Sequence, residues 1–193
     1  MHSFLSMERC QSWGLYYASL GKFPSQDGSE DLQKYQGYPS LNDAIQGDEG
    51  APGGESAPMA MIHMSYLQRL HLEDGHVQCR QDLPEEALST RTIDDSVLVL
   101  ALSYCWVARG SPDPQGKVLA DICRFTEYLE ESRHFDPRGE KFGIKDQTLL
   151  LFWDYLSLHQ IRGDRQRTKI QEESFQAGLG FTAMLYSGFV VCM

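Results

Sequence analysis

The chain has 193 residues, which fits one domain with an appendage or one domain cut short, and its hydrophobic fraction of 41% allows a core. Its net charge is −10, which argues against the basic surface of a nucleic-acid-binding or membrane-surface protein. Its five cysteines have no C-x-x-C spacing, and the N-terminus lacks a signal-peptide pattern. We therefore expect reduced thiols in a cytoplasmic protein.

The composition divides the chain into three regions. Residues 1–23 contain scattered aromatic side chains and can form a short helix. Residues 24–58 hold seven carboxylates and one lysine among many glycines, prolines and serines. Such a segment buries too little apolar surface to offset its ordering entropy, so we predict an acidic disordered linker. Residues 59–193 are predicted to form the folded domain.

Hydrophobic patterns predict alternating strands and helices in this domain. A short helix is expected at 59–72, and a helix start at 82–89, where Asp82 can act as the N-cap and Pro84 fits the first turn. Strands are predicted at 97–102, 148–157 and 189–192, helices at 117–134 and 167–186, and loops at 110–116 and 135–145. The run VLVLAL at 97–102 is apolar on both faces, which is typical of a central parallel strand.

This order of elements predicts an α/β fold, with a parallel sheet and right-handed helical crossovers. Three strands make a thin sheet, which ends where a doubly wound domain would continue. Either the domain is truncated or a partner covers the open edge. The uncharged stretch 175–193 is barely long enough for a membrane span, and its polar residues and glycines favour a helix followed by a strand.

Polar side chains follow two of the predicted strands and are our candidate ligand-binding residues. They are Ser103, Tyr104 and Trp106 after the first strand, and Asp154, Ser157, His159 and Gln160 after the second. Ligands of parallel sheets bind beyond the carboxyl ends of the strands, so we expect both groups at one edge. Alternatively, Asp154 hydrogen-bonds backbone amides and fixes a loop.

Several other kinds of site are disfavoured. Asp154 would face away from Ser157 and His159 in a continuing strand, and no G-x-S-x-G motif is present, which argues against a hydrolase triad. The loose group of His63, His71, His76 and Cys79 lacks the spacing of zinc ligands, so no metal site is predicted. No glycine-rich phosphate loop occurs, and no bound cofactor is expected.

Glu172 and Glu173 lie early in the last predicted helix. Glutamates favour helix N-termini and solvated helix faces, which is sufficient reason for their position. A glutamate near the polar edge of the sheet can also reach a ligand and stabilise a developing positive charge. The spacing leaves both interpretations open.

Several motifs resemble fungal heterokaryon-incompatibility (HET) domains. LALSYCW at 100–106 resembles their LSYxWG motif, and LFWDYLSLHQ at 151–160 resembles LWIDxLCINQ. Glu172, Glu173 and the later AMLY at 183–186 resemble their E…M…IY helix. Together with RQDLPEEAL at 80–88 and SPDPQG at 111–116, these motifs are similar to a HET-like group of uncharacterised protist proteins. The resemblance covers residues 78–193.

HET domains are similar in fold to Toll/interleukin-receptor (TIR) domains, so the resemblance implies a flavodoxin-like sheet. It implies a protein-interaction module that recognises protein partners or itself in signalling or self-recognition. The alternative it implies is a glycohydrolase that cleaves NAD at the nicotinamide–ribose bond. Glu172 or Glu173 would then be catalytic, and Ser103, Tyr104 and Asp154 would shape the nucleotide pocket. An inactive domain fragment is the third hypothesis.

Overall fold

The computed structural model of the chain describes residues 17–18, 41–46, 55–94, 96–103, 110–131, 147–161, 163, 166–188 and 190–192. Within these ranges, side chains are not described at 17–18, 128–131, 183–184, 187–188 and 190–192. Tyr104, Trp106, Phe189 and the predicted loop at 135–145 lie outside the described residues.

The described residues form a mixed α/β fold around an open sheet. Its strands are β1 (Tyr17–Ala18), β2 (Ile62–His63), β3 (Val97–Ser103), β4 (Thr148–Trp153) and β5 (Val190–Cys192), in the spatial order β1-β5-β3-β4-β2. The central strand β3 pairs in parallel with β4 and with β5. The short strands β1 and β2 pair antiparallel with β5 and β4 at the two edges. The predicted parallel arrangement is thus confirmed for the three strands that follow one another in the domain.

Helices cover both faces of this sheet. They are α1 (Leu41–Gln46), α2 (Met64–Leu72), α3 (Lys117–Glu131), α4 (Asp154–Ser157) and α5 (Lys169–Gly188). Two single 3-10 turns, Arg80–Asp82 and Glu85–Ala87, lie between α2 and β3. The predicted strand at 97–102 and the helix beginning at 117 are confirmed, as is the long helix before β5.

The alternation of side chains along the strands creates two cores. Leu100 and Trp153 belong to a buried cluster with α2 and α3. Val99 and Phe152, their neighbours in sequence, belong to a second cluster with α1 and α5. Because successive strand residues point to opposite faces, a strand that is apolar throughout can supply both cores.

The loop before α3 positions that helix through one carboxylate. Asp113 is buried, and its two carboxylate oxygens accept hydrogen bonds from the amides of Val118 and Leu119, at 3.0 and 2.9 Å. These amides have no acceptor within the first turn of a helix, so Asp113 caps α3 from outside it.

The prediction of a strand over 148–157 is wrong beyond Trp153. The amide of Leu158 donates to the carbonyl of Asp154 at 2.9 Å, which closes the short helix α4. The hydroxyl of Ser157 accepts a hydrogen bond from the amide of Trp153 at 3.1 Å. Local side-chain hydrogen bonds thus replace the sheet ladder where the polar residues begin.

Two predictions for residues 59–89 also need correction. The helix expected at 59–72 begins only at Met64, because Ile62 and His63 pair with β4 as β2. The helix expected at 82–89 is replaced by the two 3-10 turns. Leu83, which precedes Pro84, has the extended backbone (ψ 138°) that a following proline favours, and this interrupts the helix.

The prediction of a disordered linker is wrong for two parts of residues 24–58. Helix α1 buries Leu41, Ala44 and Ile45, and Ala57 is fully buried near the end of the segment. Residues 17–18 form β1 instead of part of a helix, and they pair with the edge of β5 that the sequence left open. The remaining residues of 1–54 lie outside the described part of the chain.

None of the helices in the described part of the chain is long and apolar enough to cross a membrane.

Candidate functional site

A cleft of about 560 Å³ opens beside the carboxyl end of β4. Its described lining residues are Val77, Gln78, Cys79, Asp82, Gly110, Tyr155, Gln160, Ile161 and Gly163. The hydroxyl of Tyr155 donates to the carbonyl of Gly110 at 3.3 Å, which joins the segment after β4 to the segment after β3. The volume lies in the usual range of small-molecule pockets, and ligands of α/β sheets bind at this end of the strands.

One wall of the cleft is fixed by the side chain of Gln81, which hydrogen-bonds to the backbone of Gln160. The carboxamide of Gln81 accepts from the amide of Gln160 at 3.2 Å and donates to its carbonyl at 2.7 Å. Beside it, the thiol of Cys79 donates to the carboxylate of Asp82 at 3.4 Å. The first 3-10 turn is therefore held against the chain segment that leaves β4.

The predicted polar residues after β4 hydrogen-bond mainly to backbone groups. Asp154 accepts from the amide of Tyr155 at 2.7 Å, as the loop-fixing interpretation expects. Gln160 donates to the carbonyls of Asp154 and Leu158, both at 2.9 Å. Ser157 is fully buried. Of the predicted ligand-binding residues within the described ranges, Gln160 lines the cleft. The others are not among its lining residues: Ser103, Asp154, Ser157 and His159.

His159 is 3% exposed and must be neutral to remain there. Its Nε2 lies 3.0 Å from the carbonyl oxygen of Glu55, and because a carbonyl only accepts, Nε2 carries the hydrogen. Its Nδ1 has no hydrogen-bond partner among the described residues. Burial, followed by the charge of Arg80, lowers the pKa of His159 to about 3, with a smaller contribution from Arg167. The carbonyl of Glu55 acts in the opposite direction.

Arg80 is the buried cation of this region. Its guanidinium donates to the carbonyl of Ala57 at 2.7 Å and to the carbonyl of Ser157 at 3.1 Å. Burial lowers the pKa of Arg80 to about 9, so the side chain is still charged at neutral pH. Arg80 thereby ties α4 to the segment that precedes β2.

Arg167 links His159 to the start of α5. Its Nε donates to the carbonyl of His159 at 2.7 Å, and its Nη1 lies 3.0 Å from the carboxylate of Glu172. The guanidinium carbon lies 3.4 Å from the ring centroid of Phe175, a cation–π contact. Arg167 therefore holds the chain between β4 and α5 in place.

The two glutamates predicted as catalytic residues lie on α5, and neither is among the described residues that line the cleft. Glu172 accepts from Gln176 at 2.7 Å and pairs with Arg167; these contacts, in that order, lower the pKa of its carboxyl. Glu173 is 68% exposed, and its carboxylate lies 3.8 Å from the ammonium group of Lys169. Glu173 thus fits the solvated helix face that its position in the sequence also allowed.

The end of the predicted linker and the two residues after it are packed across α4 and α5. We call these residues, 55–60, the strap. The hydroxyl of Ser174 lies 3.1 and 2.9 Å from the carbonyl oxygens of Glu55 and Ser56. The amide of Ala60 donates to the backbone carbonyl of Ser157 at 2.9 Å. Gly178 lets α5 approach closely, because a Cβ there would lie 2.4 Å from the carbonyl oxygen of Pro58.

No family model, curated protein or solved structure matches this chain. Among the described residues, no group of three or more side chains could hold a metal ion. The function must therefore be inferred from the cleft, the strap and the contacts around them.

Proposed function

We propose that this chain is a HET/TIR-like α/β module that acts through protein association in signalling or self-recognition. The order of its parallel strands supports a flavodoxin-like relationship. Along the chain, β3, β4 and β5 are the first, second and third parallel strands. In the sheet they lie side by side as β4, β3 and β5, so the first strand is in the middle and the second and third flank it. Flavodoxin-like sheets begin with this order and also carry helices on both faces.

The environment of the two α5 glutamates is the observation that favours association over NAD cleavage. A glycohydrolase needs a carboxylate beside the ribose, where it can stabilise an oxocarbenium-like transition state. Glu172 is instead paired with Arg167 and Gln176, and Glu173 is largely in solvent. A carboxylate in such surroundings is stabilised as an anion but is not held inside a ligand cleft.

The polar residues after β4 support the same proposal. Ser157 and Gln160 hydrogen-bond to backbone groups of the chain, and Asp154 accepts a hydrogen bond from the backbone amide of Tyr155. Side chains used in this way define the shape of a surface, as an interaction module requires. We therefore assign the LFWDYLSLHQ motif a structural role at the carboxyl edge of the sheet.

Two measurements on the purified full chain test the proposal. Size-exclusion chromatography with light scattering, over a range of concentrations, should show concentration-dependent self-association. Incubation with NAD should give no release of nicotinamide, either from the wild type or from Glu172→Gln and Glu173→Gln. Nicotinamide release that disappears in one of these variants would instead establish the glycohydrolase. A chain that stays monomeric and releases no nicotinamide would support the inactive-fragment hypothesis.

A further inference from the structure

The strap is held by polar groups from three separate parts of the fold. Ala57 receives a hydrogen bond from Arg80, and the carbonyl of Glu55 contacts both His159 and Ser174. The contacts that Arg80 and Ser174 make with the strap do not themselves respond to pH near neutrality, because neither side chain changes charge there. The imidazole of His159 is the one group in this set whose unperturbed pKa lies near neutral pH.

Burial and two neighbouring cations favour the neutral form of His159, and only the carbonyl of Glu55 favours the charged form among the described neighbours. Arg80, from the first 3-10 turn, and Arg167, from the segment before α5, both place positive charge near the ring. The nearby carboxylates interact with other groups: Glu172 pairs with Arg167, and the Glu55 side chain accepts from the hydroxyl of Thr168 at 3.0 Å. No described carboxylate is hydrogen-bonded to the imidazole.

We propose that His159 is an acid-sensitive latch, whose protonation releases residues 55–60 from α4 and α5. Protonation adds a hydrogen to Nδ1, which has no acceptor among the described residues. It also adds a third positive charge beside Arg80 and Arg167. A buried donor without an acceptor and an unpaired buried charge are both costly, so the ring moves to solvent. That movement breaks its contact with Glu55.

The expected size of the effect follows from the two states of the latch. In the closed state the pKa of His159 is about 3. In an open state the ring is solvated and its pKa returns to about 6.5. Because the open state then binds the proton more tightly, the opening equilibrium constant should rise about tenfold between about pH 7.5 and about pH 5.5.

Hydrogen–deuterium exchange on the full chain tests the latch. The amides of Met59 and Ala60 donate to Ala44 and Ser157, so their exchange reports strap opening. After correction for intrinsic exchange, their protection should fall about tenfold over this pH interval. Peptides from β3 should keep their protection. In His159→Gln, which cannot titrate, strap protection should not depend on pH. His76→Gln, at an exposed histidine, is the matched control and should behave like the wild type.

A second measurement uses the wild type alone, in case His159→Gln does not fold. Cleavage after Glu55 by a glutamate-specific protease should accelerate when the strap opens, because the buried Ala57 then becomes accessible on the far side of the bond, whereas Glu73 at the exposed end of α2 serves as a reference. The ratio of cleavage after Glu55 to cleavage after Glu73 should rise about tenfold on the same acidification. A constant ratio, pH-independent strap exchange, or an equal loss of protection in β3 would overturn the proposal.

Discussion

Gly178 marks the closest approach between α5 and the strap, and Gly178→Ala tests that contact. A Cβ at this position would lie 2.4 Å from the carbonyl oxygen of Pro58 and 2.7 Å from Cδ2 of Leu158. Carbon–oxygen contacts normally begin near about 3.3 Å, so the helix and the strap must separate by about 1 Å. Overpacking a buried site costs about 1–3 kcal/mol, whereas alanine gains about 1 kcal/mol over glycine inside a helix. Because a backbone carbonyl cannot swing aside as a side chain can, we expect a net loss of about 1–2 kcal/mol.

Thermal unfolding followed by circular dichroism measures this loss. For a chain of this size, a loss of that magnitude lowers Tm by about 2–8 °C. Ile170→Ala, at a half-exposed position on the same helix, is the control and should change stability by less than about 0.5 kcal/mol. A double-mutant cycle with Leu158→Ala should show that most of the cost is independent of that side chain. An unchanged or higher Tm for Gly178→Ala would refute the close contact between α5 and the strap.

Three further predictions concern other parts of the fold. Asp113→Ala should lower the free energy of unfolding by about 1–2 kcal/mol, because α3 loses its N-terminal cap, and Asp113→Asn should lose less; equal losses in denaturant unfolding would contradict this role. Trp153 is fully buried, and its Nε1 has no hydrogen-bond partner among the described residues. Trp153→Phe leaves a smaller cavity than Trp153→Ala and breaks no hydrogen bond among the described residues, so it should cost clearly less than the loss of about 3–5 kcal/mol expected for Trp153→Ala; similar values for both would contradict the apolar environment. Burial, assisted by Glu127, raises the pKa of Cys123 to about 11. Alkylation of the Cys123 thiol by iodoacetamide at about pH 8, followed by mass spectrometry, should be at least about a hundredfold slower in the folded than in the unfolded chain. Comparable rates would refute the burial of this thiol.

Hydrophobic patterns predicted the parts of the fold whose cause is local. The run VLVLAL gave β3, because a strand covered on both faces shows no alternation. The spacing of Val118, Ile122 and Phe125 gave the buried stripe of α3. The end of β4 was misplaced because Ser157 and Asp154 form hydrogen bonds that favour a helical turn, which a run of apolar residues does not reveal.

The strap and the buried cation were missed because their causes are distant in sequence. Arg80 contacts carbonyls 23 and 77 positions away, and no periodic pattern near it marks it as buried. Helix α1 was missed because its three buried side chains lie in a segment whose average composition is acidic and rich in small residues. The position of Gln160 in the cleft agrees with the rule that ligand sites follow strand ends.

The pairing of β1 with β5 has a consequence for how this chain folds. Tyr17 is paired with Cys192, so the strands at one edge of the sheet are roughly 175 positions apart in sequence. During synthesis, residues 17–18 leave the ribosome long before their partner strand exists, and at about 5–20 residues per second this interval lasts about ten seconds or more. Until β5 forms, β1 has no partner strand, and the edge of β3 that β5 later occupies is open to other chains. Conditions that slow translation should therefore increase aggregation of the nascent protein more than they change the stability of the folded protein.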